Sequence, residues 1–324
     1  MADTIQAEVK RPLVLMPAPQ ISSPDTTQSV MRNVLIALAP AFVASVIFFG
    51  FRAALVTIVS VAACVGFEYL WCRLRKLPNT VDDLSAAVTG VLLAFNVPST
   101  IPIYMLVIGD FVAIIITKAL FGGIGKNFAN PAIVGRLVLA VAFPVAMTNF
   151  AAPLVTFTPA DVVSSATALS PTAPAITLMD MFLGSEMGVL GETSALAILI
   201  GFAFLLATKT VTWHVPVVYM GTVALMSLLT GHDVLMQLCS GGLMLGAVFM
   251  ATDYSTSPAT LKGKIVFAIG CGTITSLIRF WGNLNEGVAF SILFMNLWVS
   301  HIDALTRNTP IGGEKKRKGG AKHE

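Results

Sequence analysis

Long apolar runs follow one another along most of this chain, separated by short polar connections. A run of about 20 apolar residues spans the hydrocarbon core of a bilayer, so each run predicts a membrane-spanning helix. The third run is short, and the eighth is interrupted by Ser240-Gly241-Gly242, which is typical of discontinuous helices around a central site. Ten runs are predicted, over residues 33–51, 53–71, 83–97, 101–120, 132–149, 193–208, 214–230, 234–251, 263–280 and 286–304.

The composition agrees with an all-α polytopic membrane protein. Hydrophobic residues make up 56% of the 324 positions and charged residues 11%, with a mean hydropathy of +0.82. A soluble domain carries about a quarter charged residues. The net charge of +3 comes largely from the C-terminal tail, so no nucleic acid partner is expected. No metal site is predicted, because the cysteines show no CxxC pair and are interpreted as buried free thiols: Cys64, Cys72, Cys239 and Cys271.

Basic residues predict the orientation, because they are retained on the cytoplasmic side of a membrane. They fall on one face if both termini are cytoplasmic: Arg73, Arg75, Lys76, Lys118, Lys126, Arg136, Lys209, Lys262, Lys264 and the tail Lys315-Lys316-Arg317-Lys318. Between Arg136 and Lys209 the chain has acids but no Lys or Arg. The long loop at about 150–192 is therefore expected outside the cytoplasm.

This loop divides the chain into two halves of five spans. The predicted segments are a cytoplasmic N-terminal segment (1–32), the first half (33–149), the outer loop (150–192), the second half (193–305) and a basic cytoplasmic tail (306–324). Because each half has an odd number of spans, the halves would be inverted repeats. Short matches favour the repeat: Asp83-Leu84-Ser85-Ala86 with Glu192-Thr193-Ser194-Ala195, and Phe121-Gly122-Gly123 with Ser240-Gly241-Gly242.

The outer loop contains a motif with a specific chemistry, Asp161-Val162-Val163-Ser164-Ser165-Ala166-Thr167. The pattern Asp-x-x-Ser-x-Ala-Thr resembles the site at which a flavin transferase joins FMN to a threonine hydroxyl through a phosphoester. Asp161, Ser164 and Ala166 would form the attachment motif, and Thr167 would carry the flavin. Taken alone, a Ser/Thr/Ala stretch in a loop is more often a solvated turn.

Further motifs, in order along the chain, strengthen the flavin interpretation. They are Asp83 to Phe95 (DLSAAVTGVLLAF), Phe121 to Ala132 (FGGIGKNFANPA), Gly191 to Leu196 (GETSAL), Ser240 to Tyr254 (SGGLMLGAVFMATDY) and Glu286-Gly287-Val288. Together they resemble the RnfD family, a membrane subunit of the ion-translocating ferredoxin:NAD oxidoreductase (Rnf) complex, related to NqrB of the sodium-pumping quinone reductase. The resemblance covers about residues 30–305. Relatives often have Ser-Pro-His near the N-terminus, where this chain has Ser23-Pro24-Asp25.

The resemblance implies an electron-carrying subunit of a redox-driven Na⁺ or H⁺ translocase in a bacterial or archaeal cytoplasmic membrane. It implies covalent FMN on Thr167, attached by an extracytoplasmic flavin transferase, and a noncovalent riboflavin. The implied partners are the other Rnf subunits: membrane subunits, a second covalent-flavin subunit, and iron–sulfur and NAD-binding subunits. No residue is predicted to be catalytic by itself, because the flavin carries the redox chemistry.

Acids inside or beside apolar runs are costly and favour a functional interpretation. Asp110 lies mid-run; Asp83, Glu192 and Asp253 lie in the family motifs. With Asn127 and Asn130 these four are candidates for a flavin site or an ion pathway. Helix capping explains Asp83 and Glu192 equally well, and Glu68 and Glu286 are further acids of this kind. Arg279 would pair with Glu286 or a flavin phosphate, or anchor the interface.

Two alternatives remain at this point. One is an NqrB-like subunit of a quinone reductase, which differs in its electron acceptor. The other is a stand-alone transporter for a small neutral solute, which would need no cofactor and has no reason to keep the motif from Asp161 to Thr167.

Overall fold

A computed structural model describes residues 25–154, 178–184, 187–192, 194–282 and 287–307. Every regular element within these residues is a helix. The helices are α1 (Thr27–Phe49), α2 (Phe51–Leu74), α3 (Ser85–Phe95), α4 (Ile103–Phe111, continued by a π-helical stretch Val112–Ala119), α5 (Pro131–Ala142), α6 (Pro144–Met147), α7 (Leu178–Leu183), α8 (Ala195–Ala207), α9 (His214–Thr230), α10 (Val234–Cys239), α11 (Leu243–Leu245, continued by a π-helical stretch Gly246–Met250), α12 (Leu261–Trp281) and α13 (Val288–Thr306).

Four of these helices, α1, α2, α12 and α13, are long and apolar enough to cross a membrane. They have 23, 24, 21 and 19 residues and expose many large apolar side chains, which suits a lipid environment and not water. Thr26 begins α1 with a reciprocal capping box to Ser29. The all-α class is confirmed.

The third apolar run forms a helix that is too short to span a bilayer. α3 has 11 residues, about 16 Å at 1.5 Å per residue, against a core of about 30 Å. Leu84 begins it in the left-handed conformation, with φ of +63°. The helix ends at Asn96, whose side-chain nitrogen donates to the carbonyl of Leu92 at 2.6 Å. α3 thus begins and ends inside the helical bundle.

The eighth run is broken as its glycines predict. α10 ends at Cys239, and α11 begins after Gly242, which has φ of +61° and ψ of +2°. An L-residue with a side chain rarely adopts this conformation, whereas glycine does so without strain. The chain can therefore interrupt the helix here and start it again within three residues.

Close helix contacts place the core between the two halves. α1 packs against α8, α2 against α3 and α4, and α9 and α13 against α12. Glycines allow several of these contacts: a Cβ at Gly90 would lie 2.8 Å from Cα of Val61, and one at Gly272 would lie 3.0 Å from the carbonyl oxygen of Tyr219. The fifth run ends earlier than predicted, because Pro144 disfavours helical backbone at Phe143, and α5 stops at Ala142.

Candidate functional site

A cavity of about 720 Å³ lies where the two halves meet. Its walls come from α1, α3, α8, the π-helical stretch after α11 and the loops that precede α5 and α12. The apolar part of the lining includes Val34, Val88 and Phe249. The polar part consists of Ser85, Thr89, Lys118, Asn127, Asn130, Thr252, Asp253, Tyr254 and Ser255. A mostly apolar cavity of this size with a few convergent polar groups is typical of a small-molecule or cofactor site.

Asn127 and Asn130 both line this cavity but differ in their bonding. Asn130 begins α5: its Oδ1 accepts from the backbone nitrogens of Ala132 and Ile133, at 3.0 and 3.4 Å. Asn127 donates through Nδ2 to Ala129 and Ser255, but its buried Oδ1 has no partner among the described residues. A buried polar atom without a partner needs an explanation. Asn127 is thus the better candidate for a ligand contact, and Asn130 has a structural role.

Asp253 lies in the loop between the π-helical stretch and α12, at the cavity wall. Its carboxylate accepts from Ser255 N, Ser255 Oγ and Thr256 Oγ1, at 3.3, 3.0 and 3.1 Å. Burial raises the pKa of this carboxyl, and the hydrogen bonds from Ser255 and Thr256 oppose that shift. Its negative charge is therefore held by neutral donors beside the cavity.

A buried ion pair lies at another wall. Lys118 donates to both carboxylate oxygens of Glu68, each at 2.9 Å, and Thr80 donates to the same carboxylate at 2.7 Å. Lys118 also donates to Ser85 Oγ, which donates to Asp83. Asp83 accepts from the backbone nitrogen of Ser85 as well, so it holds the first turn of α3, as the capping interpretation expects.

Glu192 is not a helix cap. Ser194 begins α8, and Glu192 instead accepts from Arg136 on α5 at 3.2 Å, in a site where both side chains are at most 5% exposed. Arg136 also donates to Asn96 at 2.7 Å, at the end of α3. Gly242 lies against the same carboxylate, because a Cβ there would overlap Glu192 Oε1. Glu192 therefore joins α5 to the helix ends at residues 96 and 242.

Arg279 satisfies the carbonyls at the break between α10 and α11. Its guanidinium donates to the carbonyls of Gln237, Ser240 and Gly241, at 2.7, 3.0 and 2.8 Å, and to the Gln237 side chain. The last carbonyls of a helix have no partner within the helix and carry partial negative charge. Arg279 is thus neither at the interface nor paired with any described acid by a direct hydrogen bond; Glu286 is outside the described residues.

Asp110 is apart from both groups. It is fully buried in α4, and its Oδ1 lies 2.6 Å from Ser60 Oγ and 3.3 Å from Cys64 Sγ. The predicted candidates thus separate into a cavity group, the Glu192 group and Asp110. The attachment motif, Asp161, Ser164, Ala166 and Thr167, lies outside the described residues.

Two basic residues that served as orientation markers are not loop residues. Lys118 and Arg136 are each about 4% exposed and paired with Glu68 and Glu192. Positions inside a helical bundle do not report the cytoplasmic face, so the charge bias rests on the remaining basic residues. Neither pairing is visible in the sequence, because the partners are 50 and 56 positions apart. All four cysteines are free, and three are buried, as predicted.

Comparison with known proteins decides the family. The family model described as "NQR2, RnfD, RnfE family" matches residues 14–312, nearly the whole chain. The chain belongs to this family. The resemblance to RnfD drawn from the motifs is confirmed, and with it a multi-pass membrane protein.

Similar proteins carry informative names, each that of one component of a larger complex. The protein from Acetobacterium woodii belongs by name to the Na(+)-translocating ferredoxin:NAD(+) oxidoreductase complex and is 42% identical, over 94% of this chain and 97% of its own length. The one from Clostridium ljungdahlii belongs to the proton-translocating ferredoxin:NAD(+) oxidoreductase complex and is 37% identical, over 95% and 98%. The one from Stutzerimonas stutzeri belongs to an ion-translocating oxidoreductase complex and is 36% identical, over 89% and 93%.

Proposed function

We propose that this chain is the electron-carrying membrane subunit of a ferredoxin:NAD oxidoreductase complex and carries FMN as a phosphoester on Thr167. The observation that supports this most strongly is the Asp-x-x-Ser-x-Ala-Thr motif at Asp161 to Thr167 in a chain of the RnfD family. The flavin would supply one- and two-electron chemistry. The expected partners are the remaining Rnf subunits and an extracytoplasmic flavin transferase.

Electron flow through this subunit would be coupled to movement of Na⁺ or H⁺ across a cytoplasmic membrane, with both termini inside and the flavin loop outside. The relatives' names point to different ions, sodium in one and protons in another. Family membership therefore supports ion translocation without selecting the ion. The quinone-reductase alternative is less favoured, because the similar proteins are named as parts of ferredoxin:NAD or ion-translocating oxidoreductases.

The cavity between the halves is the candidate for a second, noncovalent flavin. Its size suits an organic cofactor, its lining is mostly apolar, and Asn127 Oδ1 provides an acceptor with no partner among the described residues. Asn127 would accept a hydrogen bond from the ring, and Val88 and Phe249 would exclude water from it. Lys118 and Asp253 would set the local electrostatics from opposite walls.

The ten-span inverted repeat receives support from a register between α4 and α12. With an offset of 161 positions, Gly109 aligns with Gly270, and Lys118 aligns with Arg279. Gly109 faces Leu139 on α5, and Gly270 faces Met295 on α13, so the aligned glycines make equivalent contacts. Lys118 lies beside the start of α3, and Arg279 beside the break before α11. Two halves of inverted orientation would place these cations at opposite ends of the bundle.

Glu192 would connect the flavin loop to this repeat. The segment after the loop is held to the end of α3, because the backbone nitrogens of Leu190 and Gly191 donate to the carbonyls of Val97 and Phe95. Glu192 then reaches Arg136 on α5 and the backbone at Gly242. Through these contacts a change in the outer loop would act on both short helices.

In-gel fluorescence under ultraviolet light tests the covalent flavin directly. The chain is expressed with an active flavin transferase as wild type, Thr167→Ala and Thr172→Ala, which removes a nearby hydroxyl of the same loop. We expect fluorescent denatured bands for wild type and Thr172→Ala and a dark band for Thr167→Ala. A dark wild-type band, with the transferase active on a control substrate, would exclude the FMN assignment and favour a cofactor-free transporter.

A further inference from the structure

Asp110 is a carboxyl group in the membrane interior that contacts no cationic side chain among the described residues. It is 0% exposed, and its Oδ2 has no hydrogen-bond partner within the same residues. An ionised carboxylate in such a place would be strongly unfavourable, because its oxygens have lost water and gained only two neutral neighbours. Either a proton or a bound cation would remove this penalty.

The hydrogen positions around Ser60 favour the proton. Ser60 Oγ lies 2.9 Å from the carbonyl oxygen of Gly90 and 2.6 Å from Asp110 Oδ1. A hydroxyl has one hydrogen and cannot donate to two acceptors at full strength. Both short contacts are satisfied if Asp110 is protonated: its O–H donates to Ser60, and Ser60 donates to Gly90.

A metal cation fits the site less well. Hard cations take about six oxygen ligands. The side chains in contact with Asp110 supply one further oxygen, from Ser60, and the thiol of Cys64. Other groups do not neutralise the acid: Lys118, about 12 Å further along the helix by its rise, is engaged with Glu68. α3 presents the Gly90 carbonyl, and α5 presents Leu139 and Gly135, which carry no charge.

We propose that Asp110 is a proton-binding site inside the membrane and that Ser60 transmits its protonation state to α3. On loss of the proton, the Ser60 hydroxyl turns from the Gly90 carbonyl to the carboxylate, and the link between α2 and α3 is broken. The backbones are in direct contact at this point, since a Cβ on Gly90 would lie 2.8 Å from Cα of Val61. In the second half the aligned position is Cys271, so this pair of positions holds an acid in one half only.

This inference deepens the proposed ion coupling and rests on it for its role, but the site is tested independently of electron transfer. Infrared spectra of the purified complex are recorded in H₂O and D₂O for wild type, Asp110→Asn, Ser60→Ala and the exposed control Asp82→Asn. We expect a carbonyl band of a buried protonated carboxylic acid that shifts in D₂O. It should be absent in Asp110→Asn, unchanged in Asp82→Asn and moved to higher frequency in Ser60→Ala, which loses the hydrogen bond.

An identical band in wild type and Asp110→Asn would overturn the proposal, and so would loss of the band when choline chloride is replaced by sodium chloride at constant pH. If Asp110→Asn does not assemble, the shift in Ser60→Ala decides: a shifted band supports the proposal and an unshifted one overturns it. Flavin fluorescence of the same samples separates the two questions. Flavin-free protein with the band would refute the proposed function alone, and flavin-bearing protein without it would refute the proton site alone.

Discussion

At the scale of single residues, the pair Lys118–Glu68 shows how a charge is kept inside this bundle. Both side chains are nearly inaccessible, and the lysine contacts both oxygens of the carboxylate at 2.9 Å. Thr80 and Ser85 occupy further hydrogen-bonding positions of the two groups. A buried pair of this kind is stable only while both partners remain, because removal of one leaves a buried charge.

Glu68→Gln is therefore expected to destabilise the protein by about 3–5 kcal/mol. The measurement is thermal unfolding in detergent, with the exposed Asp82→Asn as control. The double variant Glu68→Gln/Lys118→Met should recover much of the loss, because it removes the uncompensated charge. Equal stability of Glu68→Gln and wild type would show that the pair does not hold α2 to α4.

At the scale of elements, the break between α10 and α11 depends on one glycine and one arginine. Gly242 provides the left-handed backbone, and Arg279 occupies the exposed carbonyls of Gln237, Ser240 and Gly241. The Glu192 carboxylate lies against Gly242, so neither a Cβ nor a different backbone conformation fits.

Gly242→Ala should cost about 1–3 kcal/mol, because alanine in this conformation is strained and its Cβ overlaps Glu192. The matched control is Gly221→Ala in α9, where an added Cβ would meet nothing within 4 Å. There alanine should be neutral or stabilising, since it is the better helix former. Thermal unfolding compares the two, and equal melting temperatures would contradict the assigned role of Gly242.

The same elements show what could be predicted from sequence. The short third run and the glycine-broken eighth run predicted α3 and the break at 240–242, because length and glycine act locally. Asp83 was correctly included as a cap candidate for α3. The partners of Glu192 and Arg279 were not predictable, because they lie 56 and about 40 positions away and no local pattern encodes them. Lys118 and Arg136 misled the orientation argument for the same reason.

At the scale of the whole molecule, the cavity between the halves brings together residues from distant segments. Ser85, Asn127 and Asp253 line it, although they are separated by up to 168 positions. The sequence marked all but Ser85 individually as candidates, while their common location needed the fold. Asp110 and Glu192, marked by the same reasoning about acids, lie outside this cavity's lining.

Thr252→Trp should reduce the noncovalent flavin bound by the complex severalfold, because the indole would fill part of the cavity. Thr273→Trp is the control: Thr273 also donates to the carbonyl four residues earlier but is exposed on α12. Flavin released on denaturation is quantified by chromatography, and flavin that stays on the protein by fluorescence. Unchanged release from Thr252→Trp would place the noncovalent flavin elsewhere.

The most direct test of electron transfer through this subunit is ferredoxin-dependent NAD⁺ reduction by the purified complex. The assay compares complexes that contain the wild-type chain, Thr167→Ala or Thr172→Ala, after each is shown to hold all its components. We expect wild-type rates with Thr172→Ala and loss of the reaction with Thr167→Ala, because electrons would have no carrier at that position. Full activity of a complex with Thr167→Ala would contradict an essential role of a flavin on Thr167.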